Sequence, residues 1–530
     1  MAPSDECGWL LYLSLAAKCC GAGDPYRVFG FATVFLVAFV VTALLYWASP
    51  GGPAWGRYWW TRRALGIGSA IPGPRGLPVL GSMELMTGLA HRKLAAAGDG
   101  GRRRLMAFSL GETRVVVTAD PDVARELLAS AAFADRPVKE SAYGLLFHRA
   151  IGFAPHGAYW RALRRVASAH LFSPRQVAAS AVQRAVIARQ MVDAMKGATG
   201  PVVARRFLKR ASLHNVMWSV FGRRYELQTE SEEEATELKN LVDEGYDLLG
   251  QLNWSDHLPW LARFDLQKTR ARCSALVPRV NRFVSQIIDE HRARLRLDGD
   301  AVVDFTDVLL SLQGTDKLSD ADMVAVLWEM IFRGTDTVAV VIEWVLARLV
   351  LHQDVQRRVH EELDRVVGPC QTVTESDTAS LVYLQAVIKE VLRLHPPGPL
   401  LSWARLATSD VHVGGYLVPA GTTAMVNMWA ITHDPAVWPD ATEFRPDRFM
   451  GPSEFPITGS DLRLAPFGSG RRSCPGKSLA MATVGFWVGT LLHEWEWLPP
   501  HDGVDLSEVL RLSCEMAAPL EARLRPRHLV

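Results

Sequence analysis

The stretch Phe467-Gly-Ser-Gly-Arg-Arg-Ser-Cys-Pro-Gly476 decides the reading of this 530-residue chain. A single cysteine, Cys474, stands among glycines and arginines, and an apolar helical run follows from Leu479. Glycines 468, 470 and 476 suit positive φ and close backbone approach, and backbone N–H groups in such a turn donate to sulfur and favour the thiolate. Arg472 is placed to face an anionic group. A lone cysteine is more often a small core residue. The spacing F-x-x-G-x-R-x-C-x-G, which fixes five of ten positions, points instead to a coordinated or activated sulfur.

Two further segments precede this loop. Glu390-Val-Leu-Arg393 sets an acid and a base at i, i+3, on one helix face where they can pair. Phe444-Arg-Pro-Asp-Arg-Phe449 offers a second arginine, Arg448. Earlier, in an apolar helical run beginning near Ala321, comes Phe332-Arg-Gly-Thr-Asp-Thr337, where a glycine costing ~1 kcal/mol relative to alanine and several polar residues interrupt the pattern. Alone, each has a plain structural reading: a surface pair or a helix kink. Together and in this order they resemble the cytochrome P-450 superfamily of haem-thiolate monooxygenases.

The resemblance implies haem b, iron protoporphyrin IX, with Cys474 as axial ligand to the iron and Phe467 packed beneath the ring. Thiolate ligation pushes electron density towards iron and favours O–O cleavage. Glu390, Arg393 and Arg448 correspond to the family's structural ion network. Asp336 and Thr337 inherit the acid and the hydroxyl that relay protons on the distal side. Their presence favours monooxygenation over the family's branches that rearrange hydroperoxides. Arg333 departs from the usual alanine or glycine: it either meets an acidic or carbonyl group of the substrate or pairs with Glu329 at i, i+4. For the propionates the matching cations are Arg164 of Trp160-Arg-Ala-Leu-Arg164, with Trp160 beside it, Arg405 after His395-Pro-Pro-Gly-Pro399, and Arg472. No G-x-G-x-x-G stands in a strand-turn-helix context. Electrons must therefore come from a partner, by resemblance the membrane-bound NADPH-cytochrome P-450 reductase.

The resemblance covers nearly everything from Ile71 onward and implies one catalytic domain of mainly helical α+β class. Val28 to Ala48 is uncharged and mostly apolar, long enough to cross ~30 Å of hydrocarbon as a helix. Tyr46 and Trp47 mark an interface, and Arg57, Arg62, Arg63 and Arg75 crowd the following side, which puts the bulk of the chain in the cytosol. The expected organisation is a tail over 1–27, a transmembrane anchor over 28–48, a linker with a stiff proline-rich hinge over 49–81, and a catalytic domain over 82–530 on the endoplasmic reticulum membrane. Strands are expected at Arg114–Thr118, Val411–Val418, Thr422–Val426 and near Leu520, and helices at Pro121–Ala129, Arg161–His170, Pro278–Leu297 and Ala321–Val350.

Hydrophobic residues at 49% and charged residues at 22% fit a folded chain with a large core, and a formal net charge of +2 excludes a strong global field and with it nucleic acid as the main partner. The other cysteines, at 7, 19, 20, 273, 370 and 514, form no C-x-x-C. Cys19 and Cys20, beside the apolar run, are either sites of reversible acylation or small residues in a tail. The acidic patch Glu230–Glu234 reads as a solvated turn or helix start. The wording Phe147-His-Arg-Ala-Ile-Gly-Phe-Ala-Pro-His156, FRGTDT and Trp403-Ala-Arg-Leu-Ala-Thr408 resembles the plant group designated family 78, subfamily A. That implies a role in organ, leaf-initiation or seed growth, with fatty acids among the proposed substrates. Tyr143 to Phe153 and Pro399 to Trp403 are apolar enough to line a lipophilic pocket. A haem sensor without turnover and a non-haem membrane scaffold are the readings from other classes. Asp336 and Thr337 weigh against the first, the cysteine loop against the second.

Overall fold

A computed structural model describes residues 25–63, 70–98, 104–197, 200–227, 233–298, 304–401, 404–451, 455–501 and 503–528. The tail before Pro25 with Cys7, Cys19 and Cys20, the side chains of Glu230–Glu234, and Trp403 lie outside these residues. The chain divides into two compact units, one of 1–83 with 107–114 and one of 84–106 with 115–530.

The smaller unit carries the helices Pro25–Trp47 and Pro53–Arg63. Along the first, Val34, Phe35, Leu36, Val37 and Phe39 are exposed. Among the described residues no helix is long and apolar enough to cross a membrane. The side chains of 25–29 and 31, some of them in the expected span, lie outside the described residues. The stretch expected as an extended hinge is free of helix but turns back on itself, with Leu77 and Gly81 exchanging N–H donations at 2.7 and 2.8 Å. It is built into the unit, since Trp47 Nε1 donates to the Gly76 carbonyl at 2.7 Å and a Cβ on Gly73 would stand 1.7 Å from the Ala107 carbonyl oxygen.

The larger unit is mainly helical with small sheets, as the α+β expectation requires. Asp120 caps the helix Pro121–Ala129 by accepting from the Asp122 and Val123 N–H groups. Thr113–Thr118 runs parallel to Thr423–Val426, from Val115↔Thr423 to Thr118↔Val426, and Arg405–Leu406 lies antiparallel on the other edge of that strand. The expected strand Val411–Val418 is a hairpin of Val411–Val413 with Tyr416–Val418. Helix Thr269–Asp298 starts well before the expected Pro278, which lies inside it.

The organising element is the helix Asp320–Leu351, capped by Ser319. Met323 to Phe332 enter one apolar core and Ala339 to Val350 another. Each fully buried large side chain in such cores stabilises by roughly 1.5–3 kcal/mol. The polar residues of FRGTDT fall between the two.

Candidate functional site

In the cysteine loop the Cys474 N–H donates to the Phe467 carbonyl at 2.9 Å and the Ser473 N–H to the Gly470 carbonyl at 3.1 Å. Gly468 and Gly470 have φ of 68° and 70°, and a Cβ on Gly470 would lie 2.1 Å from the Leu128 carbonyl oxygen. Gly476 corrects the sequence reading. Its φ is an ordinary −88°, and what a side chain there would meet is the Phe172 ring, 3.2 Å from an added Cβ. Burial pushes the Cys474 thiol up. Against it, the Gly476 N–H and the charges of Arg333, Arg164 and Lys477 favour the thiolate, as does the N-terminus of the helix Lys477–Glu494 just beyond. Phe467 packs against the larger of the apolar cores.

Several arginines converge on this loop. Arg164 Nη2 donates to the Ser473 carbonyl at 2.6 Å. Arg472 spends its fork on the carbonyls of Ala134, Ile151 and Ala154, at 2.9, 3.2 and 2.7 Å, with its guanidinium 4.3 Å over the Trp160 ring. Trp160 itself donates to the Ile151 carbonyl at 2.9 Å. Arg405 is buried, and its Nη1 has no hydrogen-bond partner among the described residues. Arg136, which the sequence reading missed, donates to the Gly152 and Ala404 carbonyls at 3.2 and 3.1 Å. Burial, and then repulsion by neighbouring arginines, pulls two of these cations down: Arg405 falls to about 9 beside Arg472 and Arg164, and Arg136 falls well below its usual range beside Arg405, Arg472 and Arg333.

On the helix Asp320–Leu351, Arg333 and Thr337 are one turn apart on one face, and both are accessible in a span otherwise mostly buried. Arg333 takes up the structural alternative left open by the sequence, its Nε donating to Glu329 at 2.9 Å. Gly334 is required by packing: an added Cβ would fall 2.4 Å from Val216 Cγ2. Thr335 bonds back to the Ile331 carbonyl at 2.7 Å and so serves the helix. Asp336 is buried and pairs with Lys209 at 2.8 Å, while Lys209 also approaches Glu515 at 3.4 Å. Burial pushes the Asp336 carboxyl up and Lys209 pulls it back. Neither Lys209 nor Glu515 was singled out from sequence.

The acid-base pair of Glu390 and Arg393 is fully buried, joined at 2.8 Å through both carboxylate oxygens, with Arg448 Nε 3.3 Å from Glu390. Arg393 also donates to the carbonyls of Thr432 and Ala441 at 2.8 and 2.6 Å. It thereby ties the helix Val382–Leu394 to the irregular segment that leads to the cysteine loop. Of the expected pocket stretches, Phe147 stacks towards Trp328 and Phe332 within the core, while Ser402 and Trp403 lie outside the described residues.

The family model described as Cytochrome P-450 matches residues 71–514. The chain is 61% identical over 527 residues to cytochrome P-450 78A9 of Arabidopsis thaliana, covering 98% of this chain and 97% of that one. It is 61% identical over 488 residues to 78A3 of Glycine max, covering 91% and 92%. To 78A11 of Oryza sativa subsp. japonica it is 54% identical over 518 residues, covering 94% and 92%.

Proposed function

The chain belongs to the cytochrome P-450 family and is a monooxygenase, and from that premise we propose that it places one atom of O2 in a lipophilic substrate. The other atom leaves as water, with two electrons from NADPH delivered through NADPH-cytochrome P-450 reductase. Haem b, which Cys474 Sγ would hold, would supply the metal centre for reductive activation of O2.

The residues fit that group. The observation that carries the reading is a cluster of buried Arg405 and Arg472 with half-buried Arg136 and Arg164 around the cysteine loop, with Arg405 Nη1 unpartnered among the described residues. Guanidinium groups that repel one another in a dry site call for anions, and the two propionates of haem answer that need. Arg405 has a donor to spare. Arg472, committed to three carbonyls, acts chiefly by charge and by fixing the loop over Trp160. Phe467 shields the sulfur side.

Thr337 offers a hydroxyl on the open face of the helix, and Asp336 lies one residue before it with a carboxyl whose proton affinity burial raises. Lys209 holds that carboxyl and touches Glu515. We assign the Lys209 and Asp336 pair as the buried proton reservoir next along the helix from the Thr337 hydroxyl. The apolar side chains exposed along Pro25–Trp47 support a single membrane anchor, and the basic residues that follow it in the sequence, Arg57, Arg62, Arg63 and Arg75, support a catalytic domain on the cytosolic side of the endoplasmic reticulum membrane. By kinship with the 78A relatives the role is control of plant organ, leaf-initiation or seed growth, and fatty acids are the first substrates to test.

The test is NADPH-dependent turnover of a fatty-acid panel by the reductase-reconstituted protein, with products identified by mass spectrometry. Hydroxylated products that disappear in Thr337→Ala and Cys474→Ser are expected. No product from protein with a thiolate-type carbon monoxide spectrum would reject those lipids.

A further inference from the structure

We propose that Glu515 regulates the proton reservoir beside Thr337 by offering Lys209 a second seat, which makes it a positioning residue for the monooxygenase reaction. The inference rests on the reservoir assigned to Lys209 and Asp336 and adds the group that sets its charge.

Three elements meet at this point: Lys209 stands on the helix Ala204–Phe221, Asp336 on the helix Asp320–Leu351 and Glu515 on the strand Cys514–Met516. Lys209 Nζ lies 2.8 Å from Asp336 Oδ1 and 3.4 Å from Glu515 Oε2. Both carboxyls are buried, whereas 31% of the Lys209 side chain is exposed. An ammonium on a flexible stem carries three rotatable donors, so a small turn of its last bonds carries it from one carboxyl towards the other.

Glu515 calls for that visit. Its Oε2 has no hydrogen-bond partner among the described residues, a costly state for a buried carboxylate. The two other cations beside it are held elsewhere. Arg205, 3.8 Å away, is bonded to Glu343 and to the Met516 carbonyl, each at 2.7 Å, and Arg511, also at 3.8 Å, reaches out into solvent. Glu515 itself is fixed by its strand, where it pairs with Val509. The lysine is therefore the part that moves.

Asp336 registers the exchange. Burial pushes its carboxyl up, Lys209 pulls it down, and Glu515 and Asp243 push it up again. The remaining charged or titratable neighbours are engaged: Arg205 with Glu343, Arg333 with Glu329, and the Tyr246 hydroxyl with the Phe332 carbonyl, while burial pushes the Cys514 thiol up. With Lys209 against it, Asp336 favours the ionised form. With Lys209 turned to Glu515, Asp336 keeps its proton.

The experiment uses the full-length haem-loaded protein without substrate. The infrared band of a protonated carboxyl that disappears in Asp336→Asn is followed against pH, which reads the reservoir with no turnover. Glu515→Gln should lower the midpoint of that band by about one pH unit, the effect of one charge a few ångströms away in a partly screened site, and Lys209→Met should raise it by at least as much. Glu515→Asp, with its shorter reach, should lower it less, and it decides the matter if Glu515→Gln fails to hold haem. In the Lys209→Met background Glu515→Gln should have a smaller effect than in wild type, because the lysine carries the coupling. The alkaline limb of NADPH-driven oxygen consumption through the reductase should follow the band in every variant, while consumption of cumene hydroperoxide should not. Absence of an Asp336 band, a midpoint unmoved in the Glu515 variants, or an equal shift with and without Lys209 overturns the proposal. A band that moves while the alkaline limb stays refutes the reservoir assignment and the part of Glu515 with it. Absence of the thiolate-type carbon monoxide spectrum in wild type would instead sink the haem-thiolate reading itself.

Discussion

Replacing Glu390 by Gln alters almost no volume and yet should be among the most damaging substitutions in the chain. Glu390 Oε1 accepts from Arg393 Nη2 at 2.8 Å, from the Arg445 N–H at 2.9 Å and from Arg448 Nε at 3.3 Å, and Oε2 accepts from Arg393 Nε at 2.8 Å. An amide keeps one acceptor and turns an NH2 towards a donor. More seriously, Arg393, fully buried, keeps its charge with no carboxylate to balance it in the pair, only neutral acceptors such as the Thr432 and Ala441 carbonyls. Removing one partner of a buried pair costs about 3–5 kcal/mol, a large share of the roughly 5–15 kcal/mol that holds a typical domain. The assay is urea unfolding of the haem-loaded protein followed by circular dichroism and haem absorbance, read as an unfolding rate where refolding fails. Glu390→Leu with Arg393→Leu together should cost less than the sum of the two single changes, because neither then strands a charge. A loss below about 1 kcal/mol for Glu390→Gln, or strict additivity in the cycle, would refute the reasoning.

Arg405→Leu removes the guanidinium with a donor to spare, and at about 1.5–3 kcal/mol for a charge-assisted hydrogen bond haem should pass to apomyoglobin roughly 10- to 100-fold faster; an unchanged transfer rate would remove Arg405 from the haem site. Gly334→Ala drives a Cβ to 2.4 Å from Val216 Cγ2, and the ~1–3 kcal/mol of overpacking should outweigh the ~1 kcal/mol gained in helix propensity, with Val216→Ala restoring stability. Stabilisation by Gly334→Ala alone would show that packing does not explain the glycine. His395, buried between Trp344 and Glu508, is pulled down to about 4 chiefly by burial. The unfolded chain then binds the extra proton between pH 6.5 and 4, so this contribution is present above pH 6.5 and is lost as pH falls, by about 3 kcal/mol in all. Unfolding midpoints measured across that range should flatten in His395→Gln, and an unaltered slope would assign the acid loss elsewhere.

What the sequence made legible is what lies close along the chain. Cys474 and its glycines fall within one turn, and Glu390 with Arg393 needs only the i, i+3 geometry of a helix. Partners supplied from distant segments left no local trace. Lys209 stands in a helix rich in basic residues and looks like any solvated lysine until the fold lays that helix against Asp336. Arg136 is no different from its exposed neighbours until the Gly152 and Ala404 carbonyls enclose it. The helix start at Thr269 escaped notice because Pro278 reads as a first-turn proline, and packing against neighbouring helices carries it inside instead. Gly476 was misread for a related reason: glycine at a crowded position and glycine at positive φ look alike in sequence, and only the nearby Phe172 ring tells them apart.

The placement of FRGTDT explains how this helix can carry so much polarity. Its flanks, Met323–Phe332 and Ala339–Val350, belong to separate apolar cores and hold the helix from both ends. The middle can therefore expose Arg333 and Thr337 on one face and bury Asp336 against Lys209 on another without giving up the continuous helix Asp320–Leu351. The one glycine there costs propensity, but it brings the helix against Val216 on Ala204–Phe221, the same helix that carries Lys209. Close approach and ion pair are thus two consequences of one packing decision. A bulkier residue at 334 would push the helix carrying Lys209 away and weaken its pairing with Asp336.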